Sequence, residues 1–224
     1  MPHTSASVSE RRSIRWPPAP ASEPTDTLVL SGATGVFVDV RFLKDAPGEG
    51  VLDWAFAGVK EELRDGGVRF VHHIDSRTLD ARSVVDAGYN TPLPDGDTLE
   101  VGEMVNPATG RVAPYEEVWR ERPTGSGGVL FVANAARTTW RARVGAWEVA
   151  LGRGEDGGFW AWYAEWIDGA GNGGGGLGWR VPRCAGVREG RAGVVLLPLA
   201  DGRWVNGARV SWQGEEWDVL EVSE

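Results

Sequence analysis

The 224-residue sequence predicts an all-β chain, a sandwich or barrel of antiparallel strands. Apolar and polar residues alternate with period two in many segments, as half-buried strands require. Turn signals rich in Gly, Pro, Asn and Asp recur at intervals of about 8–12 residues. No segment sustains a 3.6-residue apolar period long enough for a core helix.

Residues 1–26 are rich in Ser, Ala and Pro and read as a mobile arm, with one short strand at 13–16 before Pro17, Pro18 and Pro20. The β pattern starts at Thr27. Val36, Val38, Val40 and Phe42 alternate with Phe37, Asp39 and Arg41, and residues 52–56 alternate likewise. In 68–75, Val68, Phe70, His72 and Ile74 share one face, and His73 and Asp75 share the other. Residues 82–98 read as a long loop. NPATG at 106–110 is a turn between strands at 99–105 and 112–120, and 116–122 is a candidate short helix.

PTGSGG at 123–128 has linker composition. Beyond it, strands are expected at 129–133, 138–144, 147–153, 159–168, 177–181, 193–197, 209–213 and 217–222. YEEVW at 115–119 and GEEWDV at 214–219 form a weak internal echo of two similar halves. The implied organisation is an arm at 1–26 and two modules at 27–127 and 128–224, each large enough for a small closed or partly closed barrel.

Composition narrows the function. A net charge of −9 argues against a chain built to neutralise nucleic-acid phosphates. No apolar run is long enough for a membrane helix, and the N-terminus lacks the apolar core of a secretory signal. A lone cysteine, Cys184, forms no internal disulfide, which fits a reducing compartment. Twenty-one arginines against only Lys44 and Lys60 reflect a G+C-rich coding bias more than anion recognition. The acidity is concentrated in residues 1–127, with 20 acids and 13 bases, where it gives a solvated surface or steers a basic partner.

Three features invite chemistry. Nine of the twelve tryptophans follow residue 127, and Trp160, Trp162 and Trp166 share one face of a single strand. Such a row fills a core, lines a pocket for an apolar ligand, or makes a surface for a partner. His72-His73-Ile74-Asp75 is the densest titratable cluster, with the two imidazoles on opposite faces, so they do not ligate one metal together. His72 and Arg141 are the candidate polar handles of a pocket. The glycine-rich stretch 168–178 lacks the lysine and helix of a phosphate loop and reads as a hairpin connection. No metal-ligand spacing, cofactor motif or nucleophile elbow is present, so neither a metal nor a cofactor is expected and no catalytic residue is assigned.

Several segments resemble the fungal HRI family: SIRW at 13–16, EPTDTLVL at 23–30, FVDVR at 37–41, LDWAFAG at 52–58, IDSRT at 74–78, NPATG at 106–110, YEEVWR at 115–120 and WDVLE at 217–221. The resemblance implies two tandem lipocalin-like antiparallel β-barrel modules. It also implies a cytoplasmic and possibly nuclear location, and a non-enzymatic adaptor role toward a protein partner such as a casein-kinase-I-type kinase. Within that frame Trp54 and Phe56 are core anchors, and Gly58 permits a bend or bulge. The alternative function is a carrier, or a cofactor-free isomerase or cyclase, whose pocket for an apolar metabolite is lined by Trp160, Trp162 and Trp166 with His72 or Arg141.

Overall fold

The computed structural model describes residues 5–45, 50–167, 178–187, 190–199 and 202–224. Its first eight strands are β1 (Ser7–Arg15), β2 (Thr25–Ser31), β3 (Val36–Leu43), β4 (Leu52–Glu62), β5 (Val68–Asp75), β6 (Ala87–Pro92), β7 (Thr98–Asn106) and β8 (Arg111–Arg122). They run antiparallel in sequence order and close into one lipocalin-like barrel, because β1 pairs with both β2 and β8.

The mobile arm is therefore corrected for residues 7–15, which form the strand that closes the barrel. Arg11 holds it in place: its guanidinium is buried and donates to Glu23, Thr25 and, at 2.5 Å, Glu117. A polar strand is thus anchored by inward charge, a signal that composition alone reads as disorder. The loop expected at 82–98 contains β6, and the helix candidate at 116–122 is the end of β8.

The remaining strands are β9 (Val129–Asn134), β10 (Thr139–Val144), β11 (Trp147–Arg153), β12 (Phe159–Ile167), β13 (Gly178–Ala185), β14 (Arg209–Trp212) and β15 (Glu215–Ser223). They form an open seven-stranded sheet, β13-β12-β11-β10-β9-β15-β14, so the expected second barrel is corrected: among the described residues the edges, β13 and β14, do not pair. The segment expected as a strand at 193–197 instead lies across the sheet as a strap. Leu197 is buried there, and its N–H donates to the Glu148 carboxylate rather than to a neighbouring strand. The Leu197 N–H is thus satisfied by a side-chain acceptor from a central strand, without any ladder pairing. The glycine-rich stretch falls at 168–177, outside the described residues apart from Gly178.

The largest apolar core lies between the two sheets rather than inside the barrel. Leu28, Leu30, Val36, Val38, Val40 and Phe42 face out of the barrel wall onto Phe131, Trp140, Ala142, Val149, Leu151 and Tyr163. Each such side chain, fully buried, contributes about 1.5–3 kcal/mol. β3 is consequently buried on both faces, with Phe37, Asp39 and Arg41 turned into the barrel. The other face of the open sheet is covered by the strap and a tryptophan cluster of Trp204, Trp212 and Trp217.

Candidate functional site

The barrel interior is the larger departure from an ordinary core, since it carries charge. One end is closed by a stack: the Arg41 guanidinium lies 4.8 Å from the Trp54 ring centroid, and Arg77 lies 4.5 Å from the same ring. The indole Nε1–H of Trp54 donates to the Asp75 carboxylate at 3.0 Å. Below it the His72 ring stacks on Phe56, centroids 4.1 Å apart.

Asp75 reaches this position because of a bulge. β4 and β5 slip by one residue between Ala57 and Gly58, opposite His72-His73-Ile74. Ile74 therefore turns out to the intersheet core while Asp75 turns in, so the alternation predicted for 68–75 is broken at its end. Gly58 permits the slip: a Cβ there would sit 1.9 Å from the Val71 carbonyl oxygen. His72 places Nδ1 2.8 Å from Asp75 Oδ2 and Nε2 3.1 Å from Asp86 Oδ2. Burial opposes its charge, but the two carboxylates outweigh burial and raise its pKa.

Above this polar floor lies a cavity of about 340 Å³. Phe37, Phe56, Phe70, Val29, Val68 and Met104 supply its apolar wall; Asp39, Arg41, Asp86, Glu100, Glu117 and Lys60 supply its charge. Asp39 and Glu117 are neutralised by Arg41 and Arg11. Among the described residues Glu100 has only the Tyr115 hydroxyl, which donates to it at 2.8 Å. Burial, with Glu117 and Asp86 nearby, pushes its carboxyl up to about 8. Lys60 donates to the Ser31 hydroxyl at 2.8 Å, lies 5.4 Å from the Phe70 centroid and forms no ion pair among the described residues. Burial lowers its pKa against the pull of Glu100, Asp39 and Glu121.

The residues singled out from sequence divide between two places. Trp160, Trp162 and Arg141 come together on the outer face of the open sheet, with Trp212 and Trp217, around a second cavity of about 380 Å³. Arg141 sits 5.3 Å from the Trp162 ring centroid and 4.8 Å from that of Trp212, and donates to Glu148 and to the Val195 carbonyl. Trp166 does not join them; it packs edge-on against Trp179, 5.9 Å between centroids, and is 40% exposed. His72 belongs to the barrel and not to the tryptophan pocket. Among the described residues, no set of three or more His, Cys, Asp or Glu side chains is arranged to hold a metal ion.

Sequence reasoning missed Lys60, Glu100, Glu117, Phe70 and Met104 as site residues. The accessible signal was in β3, where Phe37 shares a face with Asp39 and Arg41, an aromatic residue among charges that a solvent-facing surface does not require.

The family model for Protein HRI1 matches residues 7–221. The chain belongs to the HRI1 family. In structure this HRI1-family chain is similar to the crystal structure of an uncharacterized protein, YLR301w, from Saccharomyces cerevisiae. The TM-score is 0.73 at 15% identity, over 99% of this chain and 100% of that one, which establishes a shared fold. No curated protein matches the HRI1-family chain in sequence. The match spans barrel and open sheet together.

Proposed function

We propose that this HRI1-family chain is a binding protein whose site is the interior of the closed barrel, holding one small organic molecule. The observation that carries this is the cavity of about 340 Å³, walled by aromatic side chains and holding two polar groups, Lys60 and Glu100, without charged partners of their own among the described residues. Eight-stranded barrels are wide enough for one small ligand, and volumes above about 300 Å³ with a few placed polar groups suit one. This relocates the carrier reading from the tryptophan row to the barrel. Trp119 lines the cavity, so intrinsic fluorescence reports occupancy. Titration with small aromatic alcohols such as 4-methoxybenzyl alcohol should shift the emission, and Val29→Phe, which narrows the cavity, should weaken the shift. No response to any member of a panel of such alcohols would remove the proposal.

A second reading, an adaptor for a protein partner, is favoured by Leu79 and Val85. They are 84% and 80% exposed and flank the 3-10 turn Ala81–Ser83 on the acidic half of the chain. Exposed apolar side chains beside a charged surface suit a partner interface. The family resemblance points to a casein-kinase-I-type kinase. A purified kinase of that type should bind the intact chain and lose affinity on Leu79→Asp or Val85→Asp; equal binding by both variants would discard this surface.

A further inference from the structure

We infer that the barrel captures small aldehydes covalently, as an imine on the Nζ of Lys60. This rests on the reading of the barrel as a ligand site and names the class of ligand.

Lys60 is one of only two lysines among 23 basic residues, and the cavity wall is where it stands. An arginine there would have supplied charge, but a guanidinium is no nucleophile, whereas an amine is. The structure leaves Lys60 free for that role. Its ammonium has one hydrogen-bond acceptor, Ser31 Oγ at 2.8 Å, and no ion pair among the described residues. The Phe70 ring lies 5.4 Å away, and Phe37 and Met104 line the same wall, so an aryl group has an apolar surface beside the amine. Desolvation favours the neutral amine, the reactive form.

The step balances without any further reagent. The Lys60 nitrogen lone pair attacks the aldehyde carbon, and the carbonyl π electrons move to oxygen, which takes up a proton. The resulting carbinolamine loses that oxygen as water and forms a C=N bond. Its two hydrogens derive from the amine, and nothing is oxidised or reduced. Glu100 lies in the same wall with its carboxyl protonated at neutral pH; it passes a proton to the departing oxygen and recovers the one that nitrogen releases as the C=N bond forms. Reversal by water releases the aldehyde, so the barrel stores a reactive carbonyl out of solvent.

The test traps the imine. The intact protein is incubated near pH 7 with one equivalent of 4-methoxybenzaldehyde and cyanoborohydride, then digested and mapped by mass spectrometry. Lys44, which is exposed, and the terminal amine are internal controls. The expected result is label on Lys60 exceeding that on either control by about tenfold or more, from the local concentration a bound aldehyde reaches. Lys60→Arg should lose that label and still bind 4-methoxybenzyl alcohol. If the alcohol binds the wild-type barrel while Lys60 carries no more label than Lys44, the imine is refuted and the binding site stands. If the alcohol does not bind and Lys60 is unlabelled, both fall together. The mapping is made on wild-type protein, so it does not depend on the variant folding.

Discussion

His72 and Asp75 meet 2.8 Å apart inside the barrel although they lie three positions apart on one strand, where strict alternation puts them on opposite faces. The extra residue of the bulge brings them together, and Asp86 completes the arrangement from the other side of the imidazole at 3.1 Å. Both ring nitrogens then face carboxylates, which suits the imidazolium, in which both are donors. The linkage follows from the direction of the shift. A histidine whose pKa is raised on folding stabilises the fold fully below its unfolded pKa, about 6.5, and loses that contribution as pH rises through the folded value. Replacing His72 by Gln should cost about 3–5 kcal/mol near pH 6, as for any buried pair left with one partner. Urea denaturation at pH 6 and pH 9 should show the gap between wild type and variant narrowing at the higher pH. A gap independent of pH would mean that His72 is neutral in the fold.

The bulge depends on Gly58. A methyl group there would meet the Val71 carbonyl oxygen at 1.9 Å, a backbone atom that cannot swing aside. Gly58→Ala should lower stability by about 1–3 kcal/mol, the usual range for overpacking. It should also disturb the His72–Asp75 contact, which lies across the same slip. Thermal denaturation and the His72 ring signals in an NMR titration check both consequences. An unchanged midpoint would show that the two strands re-register without the slip.

Much of the architecture was legible in the sequence and some was hidden for identifiable reasons. Period-two alternation located β3, β4, β5, β9, β10 and β11 because each has at least one apolar face against the intersheet core. β1 was hidden because its inward residues are Ser7, Ser9 and Arg11, polar side chains of which Arg11 is held by partners far away in sequence, Thr25 and Glu117. The open sheet was hidden because period-two alternation reads the same in open and closed sheets, and no local pattern shows that Leu197 donates to the Glu148 carboxylate rather than to a strand. The same limit applies to the site. Trp160, Trp162 and Arg141 were recognisable by residue type and do meet, while Lys60 and Glu100 matter through burial without an ionic partner, a property of the folded barrel alone.

Glu100 offers a stabilising substitution. Its folded pKa, about 8, lies above the ordinary carboxylate value, so folding keeps it protonated where the unfolded chain ionises. The sign is opposite to that of a salt-bridged acid: the contribution is whole below about pH 4.5 and is lost as pH rises toward the folded value. Glu100→Gln keeps an acceptor for the Tyr115 hydroxyl at this position and cannot ionise. It should raise stability at pH 8 on the order of 2 kcal/mol and change little at pH 4.5. Equal effects at the two pH values would show that the fold does not hold Glu100 protonated above its ordinary range.

Glu148 governs the strap. It is fully buried between Arg141 and Arg143, which both donate to it, and it accepts the Leu197 N–H at 2.9 Å. Neutralising it leaves two buried guanidinium groups without their counter-ion, so Glu148→Gln should cost about 3–5 kcal/mol in global stability. The local effect should exceed the global one, because the strap's remaining anchors among the described residues are apolar side chains such as Leu196 and Leu197, the Val195 carbonyl held by Arg141 and the Pro198 carbonyl held by the Trp204 indole. Limited proteolysis reads this directly. At temperatures well below unfolding, the variant should be cut within residues 190–199 while the barrel stays intact, since a segment that opens on its own is cleaved without global unfolding. Wild type should resist under the same conditions. Cleavage of both proteins at equal rates would show that Leu197 packing, and not the carboxylate, holds the strap on the sheet.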